Sequence, residues 1–170
     1  MTALLGAPLI IPTLSLWEPW ASLIAAGFKR HETRHWLTRR RGPVAIHAAK
    51  ICIWDLEPEL VDLCDLALGD GWRKNRPLGC IVAVANLTDC LRCEDVYQDI
   101  ERCDYYAGNY AEGRFAFRFD NVRPLREPLP LIGRQSFFPW RPPADLEARL
   151  DAPVSHEACA RRATFEGVYP

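Results

Sequence analysis

Only one stretch of this chain carries helical periodicity long enough to cross between parallel strands. Leu56, Leu60, Leu63, Cys64 and Ala67 recur at helical spacing with acidic residues on the other face, Pro58 near the start and Gly69 beyond the end. A parallel sheet needs a crossover of a dozen or more residues between successive strands. Here the other strand-like segments are joined by short, irregular connections. The chain therefore reads as α+β, a small mixed β-barrel with short helices packed around it, and not as a doubly wound sheet. At 170 residues, 49% hydrophobic and 25% charged, it has material for one substantial core.

The individual elements follow from local signals. Residues 13–16 read as a short strand. Pro19 suits a first helical turn, Trp20, Leu23 and Ile24 follow at i, i+3 and i+4, and Gly27 stands where a left-handed cap would end the helix, so residues 19–26 are predicted helical. Residues 44–48 form a buried strand carrying His47, a core histidine satisfied by hydrogen bonds. Residues 79–87, with Ile81, Val82, Val84 and Leu87, are the clearest core strand. A helix is expected over residues 94–102, ahead of Tyr105, Tyr106 and Tyr110. Phe115, Phe117 and Phe119 alternate with Ala116, Arg118 and Asp120 at the period of a half-buried strand. Pro124, Pro128 and Pro130 then suggest an extended arm. Periodicity weakens after Leu150. The expected organisation is one domain over residues 1–150 and a tail over 151–170, the natural handle for a protein partner.

Net charge is −1, so a polyanion would have to be met by a local patch rather than the overall field. Residues 29–41, KRHETRHWLTRRR, supply one: six Lys/Arg against a single Glu. Seven cysteines, an odd number lying mostly in apolar stretches, do not resemble a secreted disulfide framework. Reduced thiols in a cytoplasmic protein are the simpler expectation. Cys90 and Cys93 have metal-ligand spacing, but no second pair follows to complete four ligands. No metal or other cofactor is expected. The apolar run at residues 3–11 contains Pro8 and is too short to span a bilayer, so no membrane association is expected. Nucleophile-elbow, P-loop, zinc-protease and dinucleotide-binding patterns are all missing.

The run LSLWEPWASLIAAGFKRHETR, residues 14–34, resembles the signature of the ASCH family. The matching positions are Trp17, Pro19, Trp20, Ala21, Leu23, Ile24, Gly27, Lys29, Glu32 and Arg34. RGPVAIHAAK, residues 41–50, and GRQSFFPW, residues 133–140, resemble later segments of the same family. Together these span roughly residues 13–140. The resemblance implies a PUA-like barrel and a role in binding RNA or another single-stranded nucleic acid.

On that footing Lys29 and Glu32 are the candidate catalytic pair. A lysine beside a carboxylate can be held charged for a phosphate, or desolvated to act as a base. In a regular strand these two positions face opposite sides, so they share a site only if Lys29 still belongs to the turn. Arg30, Arg34, Arg39, Arg40 and Arg41 are candidate phosphate contacts. Trp17 and Trp36 are candidate stacking platforms, Trp36 the better one, while Trp20 on the helix's apolar face reads as core. Tyr105, Tyr106 and Tyr110 are expected to line the groove from the opposite side. Arg134 and Gln135, in a polar loop, are further candidate base or phosphate contacts.

Three activities stay open. The first is nucleic-acid binding without chemistry. The second is metal-free hydrolysis of single-stranded RNA, with Lys29 and either Glu32 or a groove tyrosine activating a 2′-hydroxyl. The third is the acetylcytidine amidohydrolase activity of short relatives, whose nucleophilic threonine corresponds here to Glu32, with Thr33 adjacent.

Overall fold

The structure, a computed structural model, describes residues 9–156. The chain begins with β1 (Ile11–Glu18), then α1 (Trp20–Ala25), β2 (His31–Arg34), β3 (Gly42–Cys52) and α2 (Pro58–Leu68). It continues through β4 (Cys80–Arg92), α3 (Cys93–Val96), α4 (Arg102–Tyr106), β5 (Phe115–Pro130), β6 (Phe137–Trp140) and α5 (Leu146–Arg149). The strands form one sheet in the order β2-β5-β4-β3-β1-β6. Every pairing is antiparallel except β1 with β3, which run parallel. The α+β class is the one expected, but the barrel is not closed by backbone pairing: β2 and β6 remain the ends of an open, curled sheet.

Inside the curl lies the main core. Leu14, Leu16, Ile46, Leu87, Phe117 and Phe119 meet there, and Ala21 and Ile24 of α1 plug it from one end. Residues 44–48 are buried on both faces of β3. Val44 and Ile46 face the main core, and Ala45 joins an outer cluster with Ile11, Trp140 and Leu146 of α5. Burial on both sides explains the uninterrupted apolar run, which alternation alone would not produce. A third cluster joins Leu23 and Phe28 to Leu60, Leu63 and Trp72, fixing α2 against α1.

Two expectations are corrected. Residues 94–102 form no single helix but contribute to two short ones, α3 and α4, separated by a turn. Only Val96 and Ile100 of this stretch pack partly against the small cluster of Cys93, Tyr110 and Ala116, too narrow a face to hold several helical turns. The prolines after Phe119 lie in extended chain as expected, but that chain is a paired strand of the sheet and not an arm beside it. Pro124 and Pro130 lie within β5, opposite Ala83 and Cys80, in a pairing whose register shifts between Ile81 and Ala83 and between Val84 and Asn86. Such irregularities are where a strand tolerates a missing N–H. Past Phe119, whose N–H donates to Arg30 O, the outer edge of β5 is taken up by the chain after α5. Asp151 N–H donates to Pro124 O and Val154 N–H to Val122 O, both at 2.9 Å. Residues 157–170 of the tail lie outside the described residues.

Cys52, Cys64, Cys80, Cys90 and Cys93 are free thiols, whereas Cys103 departs from that expectation and is disulfide-bonded. No helix among the described residues is long and apolar enough to cross a membrane. His47 is buried, with Nδ1 2.9 Å from the Ser15 hydroxyl and Nε2 2.9 Å from the Leu131 carbonyl, the satisfied core histidine expected.

At the end of β1, Glu18 is wholly buried. Its Oε1 accepts the Ser22 hydroxyl at 3.0 Å and its Oε2 makes no hydrogen bond. Burial pushes this carboxyl up to about 7, against smaller opposing effects from Ser22 and Arg76. The folded protein therefore resists ionising a group that the unfolded chain ionises near 4.5. Its stabilising contribution is full below that value and is lost as pH rises through about 7. Glu18→Gln keeps the size and an acceptor for Ser22. We expect it to be more stable than the parent at pH 8, by on the order of 3 kcal/mol, with the difference vanishing near pH 4.5. Urea unfolding at both pH values measures this, and a pH-independent difference would contradict it.

Candidate nucleic-acid site

The two ends of the curled sheet meet at a seam. β6 pairs with β1 only from Ile11 to Leu14, so from Ser15 onward that edge of β1 has no neighbouring strand among the described residues. Arg34, on β2 at the other end of the sheet, donates from Nη2 to the Ser15 carbonyl at 2.7 Å. A side chain thus bridges what backbone pairing leaves open.

A cleft of about 530 Å³ opens along this seam. Ser15 and Trp17, two residues apart on β1, form one wall, while Leu14 and Leu16 turn into the core. Glu32, Thr33 and Arg34 of β2, followed by His35, form another. Trp20 of α1 and Ile53, Asp55, Leu56 and Glu57 after β3 close one end, and residues 106–109 with Arg114 close the other. Three indole or phenol rings, Trp17, Trp20 and Tyr106, therefore share the cleft with a few polar groups. Trp17 is half exposed. The lining carries carboxylates at Glu32, Asp55 and Glu57 and guanidinium groups at Arg34 and Arg114, so it is not a strongly positive groove.

Lys29 stands behind this wall. The left-handed turn at Gly27 (φ +79°) lets Phe28 and Lys29 both donate their N–H groups to Leu23 O, so Lys29 still belongs to the helix end and the strand begins at His31. That placement resolves the parity conflict between positions 29 and 32. The Lys29 side chain has 0% exposure; its Nζ donates to Ala107 O at 2.7 Å and lies 3.5 Å from Glu32 Oε2. Glu32 Oε1 is 3.1 Å from Arg34 Nε. Glu32 is 13% exposed and faces the cleft, whereas Lys29 is not among the lining residues and reaches the cleft only through Glu32.

The far wall is fastened to β2 almost residue by residue. Buried Asp104 accepts the backbone N–H groups of Arg30 (2.7 Å) and His31 (2.9 Å) at Oδ1, with His31 Nδ1 2.9 Å from Oδ2. Burial alone would raise this carboxyl, but the hydrogen bonds and charge of His31, with Lys29, outweigh it and hold it below the usual range. The Thr33 hydroxyl accepts Asn109 N–H at 3.1 Å, and Arg114 donates to Thr33 O and Asn109 O. Thr33 is thus engaged in structure. Tyr110 is buried behind the loop, where a Cβ at Gly108 would stand 2.5 Å from its ring; burial pushes its phenol well up.

Of the candidates read from the sequence, Glu32, Trp17, Arg34 and Tyr106 line one cleft. Tyr105 is exposed, in edge contact with Tyr97 and Tyr106. Trp36 lies elsewhere, with its ring edge-on to Phe117 (4.9 Å) and Phe137 (5.6 Å). Arg30 pairs with Asp120, Arg41 with Asp89, and Arg40 sits over the Phe137 ring; Arg39 is exposed, and none of the four lines the cleft. Arg134 and Gln135 are exposed on the loop that Gly133 presses against Ser15 and His47. Sequence reasoning missed Ser15, His35, Arg114 and the stretch from Ile53 to Glu57; Trp20, read as core, packs partly on two core clusters and also lines the cleft. Only strand parity with Trp17 pointed to Ser15, and nothing local distinguishes Arg114. Among the described residues no group of three or more His, Cys, Asp or Glu is placed to hold a metal ion.

The ASCH domain profile matches residues 14–127 of the chain. Activating signal cointegrator 1 of Homo sapiens is 38% identical over 81 residues, which make up 46% of this chain but only 14% of that protein. Among solved structures, a Tyr-to-Phe variant of ASCH from Zymomonas mobilis superposes with a TM-score of 0.50 at 17% identity, covering 82% of this chain and 98% of the other. The unsubstituted Zymomonas mobilis ASCH gives 0.49 at 17% identity, covering 83% and 96%. At such identity the Tyr-to-Phe likeness shows a shared PUA-like fold and nothing finer.

Removing the Lys29 ammonium strands the Ala107 carbonyl and leaves Glu32 to Arg34 alone. Lys29→Met should therefore lower stability by roughly 2–4 kcal/mol, well above the loss for an exposed ion pair. Denaturant midpoints read this directly; a loss near zero would mean that the contact holds nothing together.

Proposed function

The chain belongs to the ASCH domain family, and from that premise we propose that it binds RNA or another single-stranded nucleic acid by taking one unpaired base into the seam cleft. The observation that carries this reading is the lining itself. Three aromatic rings converge with Glu32 as an acceptor and with Arg34, Arg114 and Asn109 bearing donors. Three carboxylates against two guanidinium groups suit the neutral, planar face of a nucleic acid better than its phosphates. Stacking on aromatic faces and edge hydrogen bonds are how unpaired bases are read, and neither needs an overall positive field.

Glu32 favours a second reading, RNA hydrolysis in the same cleft. Its carboxylate faces the space a nucleotide would occupy and is steadied by Lys29 and Arg34. It would accept the proton of a 2′-hydroxyl while the 2′-oxygen attacks the adjacent phosphorus and the 5′-oxygen leaves, taking a proton from water. In this arrangement Lys29 is a positioning residue.

Fluorescence anisotropy with a labelled single-stranded RNA tests the first reading. Trp17→Ala should weaken binding roughly tenfold, the usual scale of a lost stacking ring, while Arg41→Ala, which breaks the pair with Asp89, should leave affinity unchanged. Equal loss from both would place the strand on the basic loop instead. Chelator-resistant cleavage of RNA that stops with 2′-deoxy substrate and in Glu32→Gln is expected of the second reading. Intact RNA after prolonged incubation would remove it.

A further inference from the structure

Beside the cleft, the loop between α2 and β4 builds a second aromatic and cationic feature that the first reading does not use. Trp72 is buried in it, with Nε1 donating to Asp65 Oδ1 at 2.7 Å. Arg76 Nε donates back to Arg73 O at 2.9 Å, and Lys74 N–H to Gly71 O at 2.9 Å, so the loop has a defined shape. Its cations are stacked rather than dispersed. The Arg73 guanidinium lies 4.8 Å from the Trp72 ring centroid, and that of Arg76 lies 5.6 Å from Trp72 and 3.9 Å from Trp54. The result is a ladder in the order Trp54, Arg76, Trp72, Arg73.

Trp54 is the end of that ladder. It is 63% exposed even though the Arg76 guanidinium lies over its indole. It sits between Ile53 and Asp55, both of which line the cleft, so its backbone is one residue from the rim. The charges around it are uneven, with cations outnumbering the acidic Asp65 and Asp70 on the loop side. Asp55 and Glu57 face the cleft, while Arg73, Lys74 and Arg76 lie on the ladder side. A strand with one base in the cleft would have its phosphates repelled from the acidic rim and drawn towards the basic loop.

We propose that Trp54, backed by Arg76, is a second subsite that stacks a neighbouring base of the same single strand. The proposal rests on the base-binding reading of the cleft and extends it from one nucleotide to a track. A largely exposed indole steadied by a stacked guanidinium is a platform that accepts any base, so this subsite should add affinity without sequence preference.

The test measures a fluorescently labelled ribomononucleotide and an octaribonucleotide against the whole chain. The parent protein should bind the octanucleotide more tightly. Trp54→Ala should weaken octanucleotide binding roughly tenfold and leave the mononucleotide unchanged, while Trp54→Phe, which retains a ring, should keep most of the affinity. Trp17→Ala should weaken both ligands. If Trp54→Ala changes neither ligand while Trp17→Ala weakens both, the cleft stands and the second subsite does not. Equal loss of both ligands in Trp54→Ala would also overturn it, making Trp54 part of the cleft. If the parent binds neither ligand, the cleft reading falls and takes this one with it. Because Trp54 is mostly exposed, its replacement should leave the unfolding midpoint in place, which separates lost binding from lost fold.

Discussion

A lysine ammonium removed wholly from water organises the part of this molecule that matters for function. Burying such a group without partners costs several kcal/mol, so its surroundings must supply oxygen acceptors. Lys29 has the Ala107 carbonyl at 2.7 Å and Glu32 at 3.5 Å. These two acceptors come from α4's end and from β2, while Lys29 itself hangs from the end of α1 through Leu23 O. One cation thereby ties three elements together at a single point. Asp104 repeats the arrangement with opposite sign, taking the N–H groups of Arg30 and His31. The loop that carries Tyr106 and Asn109 is consequently held to β2.

The cleft follows from that fastening and from a mismatch of strand lengths. β1 runs to Glu18, but β6 accompanies it only as far as Leu14. Had the pairing continued, the sheet's edge would have been covered and the cleft filled. Arg34 reaches across instead, leaving space beside it for Trp17, Trp20 and Tyr106 to converge. The basic run from Lys29 to Arg41 does not act as a unit. Lys29 is buried, Arg34 closes the seam, and Arg30 and Arg41 are neutralised by Asp120 and Asp89. The site is thus defined more by aromatic surface than by charge, and the cations stacked on tryptophan rings occur at Arg73 and Arg76, outside that run.

Much of the scaffold was legible because its signals are local. Pro19 and Gly27 bracket α1, Pro58 and Gly69 bracket α2, and the apolar runs at β3 and β4 appear where expected. The signals failed where packing decides. Residues 94–102 contain helix-forming residues but too little apolar face to sustain one helix, and Pro124 lies inside a strand because the pairing there is irregular. The two tryptophans depart from their expected roles for a similar reason, Trp36 wholly and Trp20 only in part, since Trp20 also packs on the core as expected. Trp36 follows the basic strand yet packs on Phe117 and Phe137, while Trp20, on the apolar side of α1, reaches the cleft that α1 helps to close.

The sequence by itself determined the α+β class and the family, and it brought Lys29 and Glu32 together only on condition that Lys29 belongs to the turn, since each depends on local residue types. The turn at Gly27 and the spacing of the signature residues carry that information without reference to the rest of the chain. Which side chains share the cleft was decided only by tertiary structure. Ser15, Glu57, Tyr106 and Arg114 come from four separate parts of the chain. Their meeting depends on how far a curled sheet closes, and that is set by the summed packing of the core and not by any local pattern.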